Sequence, residues 1–250
     1  MLLVFFLFLG LQQTPGGHVP LAVVSPQYEK DQQKEHPTHD GHGGWRCQYF
    51  LGGGGLVKEY DRSEISPFFR GNGSQTVDTP AYAASRAAGF ADWRLTVTGL
   101  VANPLSLSLD NLKRLPQRSQ ITRHDCVEGW SAIGEWTGPQ LSTILDGAQL
   151  LPDARFIVFR CADTLNGSRY YESIDLDDAY HPQTIVAHAL NGEPLPERNG
   201  APLRLRVERQ LGYKHAKYLT GIEAVASLEG IEGGNGGYWE DRGYHWYAGI

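Results

Sequence analysis

Along several short stretches of this chain, apolar and polar residues alternate with a period of two. Trp93, Leu95 and Val97 interleave with Arg94, Thr96 and Thr98 ahead of Gly99, the pattern of a strand with one buried face. Leu105, Leu107 and Leu109 repeat it, and a brief helical turn over residues 111–115 ends at Pro116. Residues 156–159 form an unbroken apolar run, as in a buried strand. Residues 119–122, 184–190 and 203–207 are further strand candidates, and Asn191-Gly192 between the last two carries a type I′ turn signal. Helical periodicity is scarce. Pro139 at a first helical position, with Leu141, Ile144 and Leu145 on one face and Gly147 as the stop, predicts one helix. Asp175 as a cap over residues 176–180, closed by His181-Pro182, predicts a second. Strands mixed with isolated short helices predict an α+β domain.

Residues 12–55 hold no sustained period and are rich in Gly, His, Gln and Pro, ending in four glycines. Residues 1–55 therefore read as a leader and disordered arm, and a single folded domain is expected over residues 56–250. No Gly-Lys-Ser/Thr follows the glycine run, which argues against a phosphate loop. The first eleven residues are almost wholly apolar but too short to span a bilayer. They lack the basic flank and Ala-x-Ala site of an export signal, so a signal, a misplaced start and the remnant of a longer leader all stay open.

Composition narrows the function. An apolar content of 41% over 250 residues supports a substantial core without disulfide staples. The net charge of −6, without a basic stripe, argues against a nucleic-acid partner. Cys47, Cys126 and Cys161 form no Cys-x-x-Cys pair of the kind used for zinc, redox exchange or covalent haem.

The densest cluster of reactive side chains is Arg123-His124-Asp125-Cys126-Val127-Glu128-Gly129-Trp130-Ser131. It is expected to be a loop between the 119–122 strand and the helix at Pro139. Arg123 and His124 give Cys126 a cationic setting that favours the thiolate. From the residues alone, three readings of Cys126 stay open: a small buried hydrophobe, a nucleophile with His124, His181 or His188 as base, and a soft metal ligand. Residues 129–133 miss the nucleophile elbow at its last position, which weakens the hydrolase reading.

The run Cys126-Val127-Glu128-Gly129-Trp130-Ser131, followed by Glu135-Trp136-Thr137-Gly138, resembles the molybdenum-binding segment of the sulfite-oxidase family, in particular its bacterial branch with the methionine sulfoxide reductase catalytic subunit. Asn191-Gly192-Glu193-Pro194-Leu195-Pro196, Asn199-Gly200-Ala201-Pro202-Leu203-Arg204 and Gly212-Tyr213-Lys214-His215-Ala216-Lys217 resemble that family's pterin-binding half. The likeness runs over residues 68–226. It implies the sulfite-oxidase (molybdopterin-binding) fold, with mixed sheets and short helices, and a molybdenum-molybdopterin cofactor with Cys126 as catalytic residue and metal ligand. Such a cofactor chelates the metal through its own dithiolene, so one soft anion from the protein suffices. The resemblance further implies Arg204 as a planar fork on phosphate, Lys217 as a point charge and Asn199 as a partner of the pterin, with His215 among the cofactor contacts. Upstream, Ser66-Pro67-Phe68-Phe69-Arg70-Gly71-Asn72-Gly73 resembles the first cofactor loop and implies Phe69, Arg70 and Asn72. Cys161 is implied as a further contact, where the reductase branch has a Thr.

The implied activity is two-electron oxo transfer on a small-molecule substrate. No haem, flavin or iron–sulfur motif is present in the sequence, so a separate electron carrier such as a membrane cytochrome is the expected partner. Sulfite oxidases proper follow the metal cysteine with an Asn and paired arginines; Val127-Glu128 stands here instead, and a carboxylate repels sulfite. The resemblance implies a monomer, because the dimerisation domain of those enzymes is not reached, and export to the periplasm, although residues 1–55 hold no twin-arginine motif. A cysteine-dependent hydrolase or transferase and a non-catalytic cofactor-binding module are the alternatives. The aromatic tail, residues 237–247, is expected to pack along the domain surface as a satellite cluster rather than close over the site.

Overall fold

The structure, a computed structural model, describes residues 55–250. The expectations for the leader and arm and for Cys47 lie outside the described residues. The largest sheet has five strands in the order β2 (Leu105–Ser108), β1 (Arg94–Gly99), β11 (Leu219–Val225), β5 (Phe156–Leu165) and β6 (Ser168–Asp175). β1 and β11 run parallel and the other neighbours antiparallel. A second sheet joins β3 (Gln117–Cys126), β4 (Trp130–Pro139), β8 (Ala189–Leu190) and β9 (Glu193–Pro194), all antiparallel. A separate two-stranded ladder pairs β7 (Ile185–Ala187) with β10 (Arg204–Arg206). The helices of the described residues are short: α1 (Pro80–Ala87), α2 (Leu109–Arg114), α3 (Leu141–Ala148) and α4 (Leu176–Ala179).

Local sequence explains these elements. Leu95 and Val97 are fully buried while Arg94 and Thr96 are exposed, so the period of two in β1 is a burial period. Ile157, Val158 and Phe159 are all buried, as the unbroken run predicts for a strand covered on both faces. The Asp175 side chain accepts from the Asp178 backbone N–H at 2.8 Å and starts α4. Leu141, Ile144, Leu145 and Ala148 on α3 join Val97, Phe159 and Ile222 in the main core. A smaller core, with Phe69, Trp136, Ile185 and Leu190, sits on the four-stranded sheet.

Two local expectations are corrected. Pro139 ends β4 and α3 begins at Leu141; Gly147 lies within the helix, and Gln149 at φ 57° makes the left-handed stop. Asn191 and Gly192 do have positive φ (55° and 82°), as a type I′ turn requires, but they join β8 to β9, with Leu190 opposite Glu193. Pro194 and Pro196 lack ladder N–H groups and cut that hairpin short, so β10 pairs with β7 instead.

Candidate active site

β3 and β4 pair over ten positions, from Gln117 opposite Pro139 to Cys126 opposite Trp130. The reactive stretch is therefore not a loop: Arg123 to Cys126 is strand, and only Val127, Glu128 and Gly129 turn, with Gly129 at φ 85°. Strand alternation sends Gln120, Thr122, His124 and Cys126 inward on one face. Cys126 thus sits at the end of a ten-residue ladder, a stiffer mount than a loop provides.

The thiol is 8% exposed, in the wall of a cavity of about 120 Å³. Asn72, His215 and Lys217 share that cavity, as do Glu128, Asp163, Tyr170, Tyr213, Trp239 and Tyr244. Burial pushes the Cys126 thiol up, opposed by a hydrogen bond with the Glu128 backbone. The cationic setting does not come from the expected residues, because Arg123 turns to Asp125 at 2.9 Å and His124 is held neutral by burial and by Arg206; Arg204 is the cation that acts on the thiol. An electrophilic metal would have to draw the proton off, which a soft thiolate ligand permits.

Lys217 on the cavity wall and Arg204 behind it are buried cations for which no ion pair forms among the described residues. Arg204, fully buried on β10, donates to the carbonyls of Asn199 (3.0 Å) and His215 (3.3 Å) and lies 4.9 Å over the Trp136 ring. Burial and Arg206 pull it from 12.5 down to about 9, so it stays protonated at neutral pH. Lys217 donates to the carbonyls of Ser74 and Arg198 (2.9 Å for the latter); burial and Arg204 bring it down to about 7. Burial is the larger cause of both shifts, and among the described residues no carboxylate lies within ion-pair distance of either group to offset it.

Polar atoms without partners surround these cations: Asn72 Oδ1, Asn199 Oδ1, Arg204 Nε, His124 Nε2, His215 Nδ1 and Asp163 Oδ1 are all buried. Orphaned buried donors and acceptors at this density call for a polar ligand or ordered water. A phosphate-bearing heterocycle of the molybdopterin kind, with anionic and hydrogen-bonding parts, fits this set. Among the described residues no three His, Cys, Asp or Glu side chains gather around a metal position, so a metal here would have to bring other ligands with it.

The structure brings together Asn72, Cys126, Asn199, Arg204, His215 and Lys217. The Asn72 amide is tied to the Gly212 carbonyl at 3.2 Å and that of Asn199 to the Arg70 carbonyl at 3.2 Å. Phe69 is buried edge-on to Trp130 and Trp136, supporting the wall. Arg70 joins through its carbonyl only, since the residue is exposed. Cys161 is packed in the main apolar core and does not line the cavity, whereas Asp163, two residues on, does. Asp163 accepts from Ser74 Oγ at 2.6 Å and is raised by burial. Sequence reasoning missed it, although strand alternation from Cys161 was a usable signal. The tail is corrected too. Trp239 and Tyr244 line the cavity, while Tyr238 is buried in the core. His181 and His188, the other bases considered, bond to the Gln183 N–H and the Gln117 side chain and do not line the cavity.

Fold and site together define an α+β domain with a buried polar cavity fit for an anionic, hydrogen-bonding cofactor. Residues 82–229 match the family model of the oxidoreductase molybdopterin binding domain, and the chain belongs to that family. It is 45% identical over 166 residues to a putative protein-methionine-sulfoxide reductase subunit YedZ1 of Azospira oryzae, covering 66% of this chain and 58% of that protein. It is 36% identical over 164 residues to the protein-methionine-sulfoxide reductase catalytic subunit MsrP of Xanthomonas campestris pv. campestris, covering 61% and 51%. The MsrP of Gluconobacter oxydans is 37% identical over 146 residues, covering 53% and 47%. The chain thus spans about half the length of the curated relatives it matches. Among solved structures, the sulfane dehydrogenase SoxCD of Paracoccus pantotrophus superposes with a TM-score of 0.52 at 23% identity, over 56% of this chain and 40% of that one. That likeness bears on the fold, which is the sulfite-oxidase type expected from the sequence.

Proposed function

We propose that this domain holds a molybdenum-molybdopterin cofactor, with Cys126 as the protein's ligand to the metal, and reduces a sulfoxide by two-electron oxo transfer. The observation that carries the reading is the single thiol in a cavity with Lys217 on its wall and Arg204 behind it, two buried cations that lack anionic partners among the described residues. Arg204 and Lys217 would hold the phosphate end, and Asn72, Asn199 and His215 the pterin. The cofactor supplies a molybdenum centre able to exchange an oxo group and two electrons with substrate.

The chain's own residues select the substrate. Glu128 and Asp163 put carboxyls on the cavity wall, which disfavours an anion such as sulfite. Tyr213, Trp239 and Tyr244 add aromatic surface suited to a neutral, polarisable group such as a thioether sulfoxide. Sulfoxide reduction also agrees with what the relatives' names say of them. Electrons would come from a separate carrier, with a membrane cytochrome in the periplasm as the partner, and the domain would act as a monomer. The test is reduction of methionine sulfoxide by cofactor-loaded protein with a reduced dye as donor, against sulfite oxidation as control. Turnover of the first without the second supports the reading, and the reverse overturns it. Fractionation of cells and size-exclusion chromatography test compartment and oligomeric state.

A further inference from the structure

Next to the cavity lies a group of buried charges that the reading above leaves unused. Glu172 on β6, Lys214 in the 3-10 turn Gly212–Lys214 and Glu240 in the turn Glu240–Arg242 have side chains 0%, 0% and 1% exposed. Lys214 Nζ lies 2.8 Å from Glu172 Oε2 and donates to Glu240 Oε1. Among the described residues neither carboxyl pairs with a second cation. Two carboxylates beside one ammonium would leave a negative charge uncompensated in the interior, so one carboxyl keeps its proton. Gly237 marks where the pair converges, since a Cβ there would meet the Oε2 atoms of both.

Counting protons shows where this one leads. The Tyr170 hydroxyl lies 2.6 Å from the Tyr213 carbonyl and 3.2 Å from Glu172 Oε1. It has one proton, and the nearer carbonyl can only accept it. That proton serves the carbonyl at 2.6 Å better than Glu172 Oε1 at 3.2 Å, and a carboxylic acid at Glu172 would supply the proton that the longer contact lacks. Tyr170 lines the cavity that holds Cys126. Burial, opposed by Lys214 and reinforced by Glu240, holds Glu172 well above the usual carboxylate range. The titratable groups facing it are Lys214, Glu240, Tyr170, Tyr171, Tyr213 and Cys161, of which only Lys214 carries positive charge.

We propose that Glu172 is a proton donor held behind the cavity, serving the reaction through the hydroxyl of Tyr170. The inference rests on the sulfoxide reading. In the balanced reaction one sulfoxide, two electrons and two protons give one thioether and one water. The S–O bond breaks, the sulfur is reduced by two electrons from the separate carrier, and the oxygen leaves as water. Tyr170 turns its hydroxyl proton into the cavity towards that oxygen and takes the proton of Glu172 in exchange. The second proton comes from solvent at the cavity mouth. Lys214 holds the Glu172 carboxylate until a proton from solvent in the cavity returns to it through the Tyr170 hydroxyl. Glu172 is thus a positioning residue that acts through Tyr170.

Glu172→Gln preserves the hydrogen bonds of the neutral acid but has no proton to give, and Tyr170→Phe removes the relay oxygen. Infrared spectra at pH 7, with or without cofactor, should show a protonated carboxyl band in the wild type that Glu172→Gln lacks. With methyl p-tolyl sulfoxide and a reduced dye, each variant should lower kcat roughly tenfold or more, the size of a general-acid contribution. The double variant should be no slower than either single one. Thermal midpoint and molybdenum content should hold, while the solvent deuterium isotope effect changes; kcat of the wild type should fall at alkaline pH as Glu172 loses its proton, and that fall should disappear in Glu172→Gln. A missing carboxyl band, or a Glu172→Gln enzyme with wild-type kcat, pH profile and isotope effect, overturns the relay and leaves the functional reading intact. A loaded wild type that has the band but reduces no sulfoxide overturns the functional reading, and the proton's destination with it.

Discussion

Arg206 donates to Nδ1 of His124 at 2.8 Å, and because a guanidinium only donates, the buried imidazole is the neutral tautomer with its proton on Nε2. Arg206 is itself gripped by Glu208 through Nε (2.9 Å) and Nη2 (2.6 Å), and Gln120 donates to the same carboxylate at 2.9 Å. The ring two residues from Cys126 is thereby locked from behind, with an unpartnered N–H on its other side.

His124→Leu takes the acceptor from a fully buried guanidinium and should cost ~1–3 kcal/mol of stability in cofactor-free protein. His124→Gln, which offers an amide oxygen to Arg206, should recover most of it. Denaturant midpoints of the three proteins check this.

Gly212→Ala should be poorly tolerated for a related reason. A Cβ at that position would run into Nε2 of His124, and the ring cannot retreat while Arg206 holds it. A loss of ~1–3 kcal/mol is expected from overpacking, together with lower cofactor occupancy, read by unfolding and by molybdenum analysis.

Lys217 gives the pH dependence a sign. It sits at about 7 in the fold, pulled down by burial and Arg204, against ~10.4 when unfolded. Between those values the unfolded chain binds more protons, so this residue makes cofactor-free protein more stable as pH rises from about 7 towards 10. An anionic cofactor would restore the ammonium and remove the rise. Unfolding at pH 7 and 9, with and without cofactor, compared between wild type and Lys217→Met, isolates the effect. The variant should be more stable than wild type at pH 7 when empty and should load cofactor less well.

Trp239 and Tyr244 stand 5.2 Å apart on the cavity wall, ring centroid to ring centroid, and Tyr213 meets Tyr244 edge-on at the same separation. Trp239→Ala or Tyr244→Ala should raise KM for sulfoxide several-fold, roughly the ~1 kcal/mol of one lost aromatic contact, without changing molybdenum content. Equal KM values would remove the tail from the substrate wall.

Much of this architecture was legible in local pattern. Trp93, Leu95 and Val97 read as a half-buried strand because the burial period and the sequence period coincide. Asp175 read as a cap because its carboxylate answers a local N–H. The reactive stretch misled, since Gly134, Gly138 and Pro139 disguise β4 as loop and helix start, while its partner is the adjacent β3. Gly138 is there for closeness: a Cβ would strike the Val186 carbonyl. The motif residues Cys126, Arg204 and Lys217 were found by resemblance. Asp163, the Arg206–His124 lock and the Glu172, Lys214 and Glu240 cluster were not, because their meaning arises from contacts between distant parts of the chain, 82 residues apart for Arg206 and His124.

The central claim is that sulfur from Cys126 is bound to molybdenum. X-ray absorption at the molybdenum edge of cofactor-replete wild type and Cys126→Ser should show one fewer sulfur neighbour at the metal in the variant. An unchanged sulfur count, or wild-type protein that takes up the pterin without the metal, would contradict it.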